Sequence, residues 1–175
     1  MLTLADTGFD APRALLRRYG LALAAVPDGE PIPGSYWGDC EAGLVGTTVH
    51  ARADTPVHSL LHEAGHLLLL SPEQRAAVHT DATDCQREED ATCVLQALLG
   101  DALPGVGRER IWADMDAWGY TFRLGSARAF FLRRSPQYEP VGPLTYSTKL
   151  RASSRPREPR LMASIALVPT ASHQS

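Results

Sequence analysis

Polar and apolar residues follow a helical period over Asp10–Tyr19. Leu15, Leu16 and Tyr19 share a face, Arg13, Arg17 and Arg18 are interleaved, and Gly20 ends the run. The pattern predicts a first amphipathic helix with its arginines in water. Leu21–Val26 predicts a short strand, and the Pro- and Gly-rich stretch Pro27–Gly34 an irregular connection. Two more strands are expected over Ser35–Trp37 and Leu44–Ala51, joined through Asp39–Gly43, with Val45, Thr47 and Val49 on one face by the period of two. A small sheet thus precedes Thr55–Leu70, TPVHSLLHEAGHLLLL, an almost wholly apolar run interrupted by two histidines and a glutamate.

On a helix advancing about 100° per residue, His62 and His66 lie one turn apart with Glu63 beside them, while Val57, Leu60, Ala64, Leu67 and Leu68 take the opposite side. Asp54 or Thr55 can cap this helix, and Pro56 suits its first turn. With so little to offer water, the helix is expected to be central and buried. Burying an ionisable glutamate and two imidazoles without partners is costly, and a metal ion compensates naturally. Two imidazoles at i, i+4 reach one tetrahedral Zn²⁺, and Glu63, one residue on, faces the open position of the metal, where it can take a proton from water. Short H-E-x-x-H patterns also arise by accident on solvated surfaces; the apolar setting and the helix start separate this one from those.

After Leu70, Ser71-Pro72 stops the run, and a polar stretch to Thr83 carries His79 and Asp81, which fit solvated loop positions better than ligand positions. A second long helix is expected from Thr83, with Gln86 completing a capping box, through to Pro104. Glu88 heads its apolar stripe of Ala91, Leu95, Leu99 and Ala102, whereas Glu89 falls toward the edge beside Cys93 and Gln96. A carboxylate at the head of a buried stripe is what a zinc site needs as its third protein ligand. Glu88 is therefore the expected ligand, with Glu89 and Asp84 as substitutes should the helix phase differ. Arg108–Trp118 predicts another helix with Ile111, Met115 and Trp118 inward, and Ser126 caps a last one running to Arg133.

Composition sets the frame for these elements. The 175 residues, 44% hydrophobic, suit one domain over residues 1–134, and the Pro-, Ser- and Arg-rich sequence that follows predicts a poorly ordered tail over 135–175. A net charge of −3 from 17 basic and 20 acidic residues provides no field to draw the molecule to nucleic acid or anionic lipid. The three cysteines, Cys40, Cys85 and Cys93, form no C-x-x-C pair and suit a reducing compartment. The early acidic residues of the N-terminus argue against a secretory signal, and no uncharged span is long enough to cross a bilayer. A cytoplasmic location is expected.

Gly43-Leu44 with its strand, then His62-Glu63-Ala64-Gly65-His66, then Glu88-x-x-Ala91-x-x-Val94-Leu95-x-x-Leu98-Leu99, together resemble the ImmA/IrrE family of metallopeptidase-like proteins. The match spans roughly Leu44–Gly100. It departs from the family pattern at Thr92, Val94 and Gly100-Asp101, where Asn, Phe and Met-Pro are usual. The resemblance implies an α+β fold of the minimal zincin type, a small sheet beside two core helices. It also implies zinc on His62, His66 and Glu88, with Glu63 as general base. The family's helix-turn-helix and sensor domains have no counterpart within the chain, so any regulation would come from a separate partner protein.

The expected activity is zinc-dependent hydrolysis of a peptide bond in a protein substrate, with Leu44–Ala51, if at a sheet edge, holding an extended peptide. Tyr120, Tyr138, Tyr146 and His79 are the candidates for stabilising the oxyanion, and the sequence does not choose among them. The rival is a non-catalytic zinc-binding regulator that meets a protein partner through its sheet edge or tail. Glu63 beside an open coordination position favours the enzyme, because a structural site has no use for that acid.

Overall fold

Leu44 and Val49 face one another across a tight hairpin, both fully buried, and the metal-motif helix packs on the sheet they belong to. The computed structural model describes residues 1–80, 82, 85–120 and 125–134. Among these the chain is α+β, with seven helices and a three-stranded mixed sheet. The helices are α1 (Leu4–Thr7), α2 (Asp10–Arg17), α3 (Val57–Leu69), α4 (Pro72–Ala77), α5 (Gln86–Asp101), α6 (Gly107–Trp118) and α7 (Ala127–Arg134). The strands are β1 (Ala22–Ala25), β2 (Gly43–Val45) and β3 (Thr48–Ala51), in the order β1-β3-β2. β3 is central, parallel to β1 and antiparallel to β2.

Several expected elements take a different form. Leu44–Ala51 is not one strand but the hairpin β2–β3, because Gly46, at φ 58°, lets the chain reverse where a side chain would be strained. Ser35–Trp37 is a loop. The buried Glu41 carboxylate gathers the Ser35 hydroxyl and the backbone N–H groups of Trp37, Gly38 and Asp39, which takes these residues out of any ladder. The polar stretch after Leu70 contains α4, closed by a capping box between Ser71 and Gln74. The first α5 residue is Gln86, later than the expected start at Thr83; Thr83 itself, Asp81, Asp84, Tyr138, Tyr146 and the expected tail lie outside the described residues.

The start of α3 is held by the N-terminal segment and not by the expected cap. Thr55 Oγ1 is turned to the preceding loop, accepting from Arg52 N at 2.9 Å, and the residue at the cap position is Pro56. Val57 N donates instead to Leu2 O at 2.9 Å, Leu4 N donates to Thr55 O at 3.0 Å, and Leu2 N is anchored on the buried Asp114 carboxylate at 2.8 Å. Four N–H groups need partners at any helix start, and a strap of backbone serves as well as a side chain.

α3 places Val57, Leu60, Ala64 and Leu67 in the core and carries His62 and His66 toward α5. α5 is buried over most of its circumference, with Ala91, Leu95 and Leu99 on the stripe expected to be apolar and Thr92, Cys93 and Gln96 buried as well. No helix among the described residues is long and apolar enough to cross a membrane.

Candidate metal centre

Because α3 is helical through Val57–Leu69, His62 and His66 sit one turn apart, and their rings meet edge to face with centroids 4.6 Å apart. Their Nε2 atoms converge to 3.0 Å. The third group at this point is Glu89: its Oε2 is 3.5 Å from His62 Nε2, and its Oε1 is 3.3 Å from His66 Nε2. At metal–ligand bonds of about 2.1 Å, two ligands of a tetrahedral ion stand roughly 3.4 Å apart. The three ligand atoms are thus spaced like one face of such a tetrahedron, and all lie within 4.8 Å of one another.

The carboxylate that meets the two histidines is Glu89 and not the expected Glu88. The physical reason lies in how α5 is buried. An apolar stripe marks the face toward the partner only when the other faces are wet, and α5 also packs against α6, where a Cβ on Gly100 would press into Ile111. The face turned to α3 is the polar one. Glu89, Thr92 and Gln96, at i, i+3 and i+7, line it in order, a helical-period polar stripe that was available in the sequence as a signal. The close approach depends on Gly65, the glycine of H-E-A-G-H: a Cβ there would stand 3.1 Å from Thr92 Cγ2 and 3.5 Å from Thr92 O.

Each imidazole is held at its far nitrogen. His62 Nδ1 lies 2.7 Å from Gln96 Oε1, and His66 Nδ1 lies 3.3 Å from Thr92 Oγ1. A carbonyl oxygen only accepts, so His62 carries a proton on Nδ1 and directs Nε2 at the shared point, which is how second partners orient metal-binding histidines.

The titrations of the three groups are set by burial and by one another. Burial, and then the neighbouring His62, bring His66 down to about 3. On His62 burial also acts against a charge, but Tyr120, Cys93 and Glu89 outweigh it and raise the pKa well above the ordinary value. Burial pushes the Tyr120 phenol upward, so the negative charge that faces His62 at neutral pH is that of Glu89. Burial likewise acts to raise Glu89, but the hydrogen bond from His62, with the electrostatic influence of the two rings, brings it below the usual carboxylate value. With His66 neutral, the positive charge of this cluster lies on His62, against the Glu89 carboxylate.

Glu63 follows His62 on α3 and is half-buried, on the side of the helix next to the two ligands. Tyr120, directly after the left-handed Gly119 that ends α6, packs its ring against His62 at 5.9 Å. The other described candidate for the oxyanion, His79, is exposed, paired with Thr80 Oγ1 at 2.9 Å and bridged to Val45. It belongs to a segment that covers the outer edge of β2, with Thr80 N on Leu44 O at 3.0 Å and Gly46 N on Val78 O at 2.8 Å. The expected substrate-holding edge is therefore already paired, since β3 is interior and β2 is covered.

Comparison of the chain with protein-family models, with curated proteins and with solved structures finds no match.

Proposed function

We propose that this protein is a zinc-dependent hydrolase of peptide bonds, with His62, His66 and Glu89 as the metal ligands and Glu63 as the general base. The observation that supports this most directly is the convergence of His62 Nε2, His66 Nε2 and a Glu89 carboxylate oxygen within 4.8 Å, on the same helix as Glu63. Two imidazoles and one carboxylate are the donor set of open catalytic zinc sites. A zinc ion held there would polarise a substrate carbonyl and acidify a water molecule.

The residues of the chain divide the remaining work. Glu63 takes the proton of the attacking water and returns it to the departing amine. Tyr120, a buried hydroxyl beside His62, is the described donor best placed to stabilise negative charge on the carbonyl oxygen. The helix α3 lying on a small sheet with α5 across it supports the minimal zincin arrangement. The likeness to the ImmA/IrrE family then rests on His62-Glu63-Ala64-Gly65-His66, because taking Glu89 as ligand shifts α5 by one residue against the family pattern.

The test begins with metal analysis of protein purified without added zinc, followed by exposure of a peptide library to wild type and Glu63→Gln. Stoichiometric metal in both and cleavage by wild type alone is the expected result. Metal without cleavage in either would favour the regulator that uses zinc for stability, and absence of metal from wild type would remove both proposals.

A further inference from the structure

Gln96 is fully buried on α5, and its two amide atoms are treated unequally. Oε1 is 2.7 Å from His62 Nδ1, whereas Nε2 has no hydrogen-bond partner among the described residues. Two N–H donors left unmatched in a core destabilise a fold, and a leucine or methionine would fill a similar volume without them. What the amide provides in return is its oxygen on His62. Were the amide turned over, an N–H would face Nδ1, the ring proton would move to Nε2, and the lone pair needed for a metal would be lost.

We propose that Gln96 is a positioning residue of the metal centre, selecting the His62 tautomer that binds metal at the expense of fold stability. This rests on the metal centre proposed above. The two histidines differ in this respect. Thr92 Oγ1, a hydroxyl that can donate or accept, leaves His66 free to adopt either tautomer, so His62 is the ligand set in advance and His66 the one that adapts.

Zinc affinity, measured by competition with a chromogenic chelator, and the Tm of the metal-free protein separate this role from simple packing. Gln96→Leu is expected to weaken zinc binding by about ten- to hundredfold while changing the metal-free Tm little, since the two unmatched amide donors it removes offset the His62 Nδ1–H it leaves without an acceptor. Gln96→Glu keeps an acceptor on His62 and should bind zinc at least as tightly as wild type, with a lower metal-free Tm because a carboxylate replaces a neutral amide in the core. Loss of affinity without a matching loss of stability in the leucine variant is the signature. Zinc binding by Gln96→Leu as tight as wild type would overturn the inference and leave the metal centre intact. A parallel loss of affinity and Tm would also overturn it, by showing that Gln96 only packs. Failure of wild type itself to bind zinc would instead overturn the metal centre.

Discussion

His58 stands one turn before His62 on the same face of α3, yet it takes no part in the metal centre. It is fully buried, packed edge to face against Trp118 at 5.3 Å and Tyr120 at 5.8 Å, and neither ring nitrogen has a hydrogen-bond partner among the described residues. Burial, then the charge of His62, bring its pKa down to about 3, with Asp114 acting weakly the other way. The unfolded chain titrates near 6.5, so between that value and about 3 the unfolded state holds the extra proton. Stability contributed by neutral His58 is complete above pH 6.5 and declines as pH falls, by up to about 1.4 kcal/mol per unit. His58→Phe keeps the ring packing and removes the titration. Urea denaturation at pH 7 and pH 5 should show the variant at least as stable as wild type at pH 7, with its advantage larger by roughly 2 kcal/mol at pH 5. Equal losses in both proteins would show that His58 is not buried as a neutral ring. Nothing in the sequence distinguished this histidine from His62 and His66 by type. Spacing within H-E-x-x-H did so for His62, Glu63 and His66, because that motif is local to one helix and needs no knowledge of packing.

At the scale of elements, what could be read from the sequence depended on how many faces of an element are buried. α2, β1, α6 and α7 follow their patterns because each has a wet side against which the apolar side stands out. α5 has no such side, buried from Asp90 to Ala97, so its phase toward α3 could not be inferred from apolar spacing, and the carboxylate that meets the histidines is one residue away from the expected one. The hairpin was missed for a different reason: alternation runs through Val45, Thr47 and Val49, while Gly46 reverses the chain between them. The approach of α3 to α5 now turns on Gly65. An alanine there meets a methyl at 3.1 Å, a contact that Thr92 can relieve by a small shift, and the better helix propensity of alanine offsets the strain. A valine has no such room, since its branches would press on the Thr92 backbone. Gly65→Ala should therefore change stability by less than about 1 kcal/mol, whereas Gly65→Val should lose about 2 kcal/mol or more. Zinc affinity should fall sharply only in the valine variant, because separating the helices draws Glu89 away from the histidines. Calorimetric titration with zinc beside urea melts measures both, and unchanged affinity in Gly65→Val would show that the two helices do not set the ligand geometry.

For the molecule as a whole, the proposed metal would be a cross-link between two helices on which most of the core is built. α3 would supply two of its ligands and α5 one, and the Arg134–Asp90 ion pair at 3.1 Å ties α7 to α5 at the residue following Glu89. An ion that binds this arrangement and not the unfolded chain stabilises the entire fold by mass action, by about 2.7 kcal/mol at a free concentration of 100 Kd. The increment should depend on the ligands alone. Thermal melts with zinc and with a chelator are expected to differ by several degrees in wild type and in Glu63→Gln, since Glu63 is assigned to the proton and not to the metal. Glu88→Gln should retain the full difference. His62→Ala and Glu89→Ala should lose it, and in the metal-free state Glu89→Ala should itself be less stable than wild type, since it removes the carboxylate that faces the buried His62. A zinc-dependent shift that survives Glu89→Ala and disappears in Glu88→Gln would return the third ligand to the residue that apolar spacing favoured, and would require α5 to turn by one residue in the metal-bound protein.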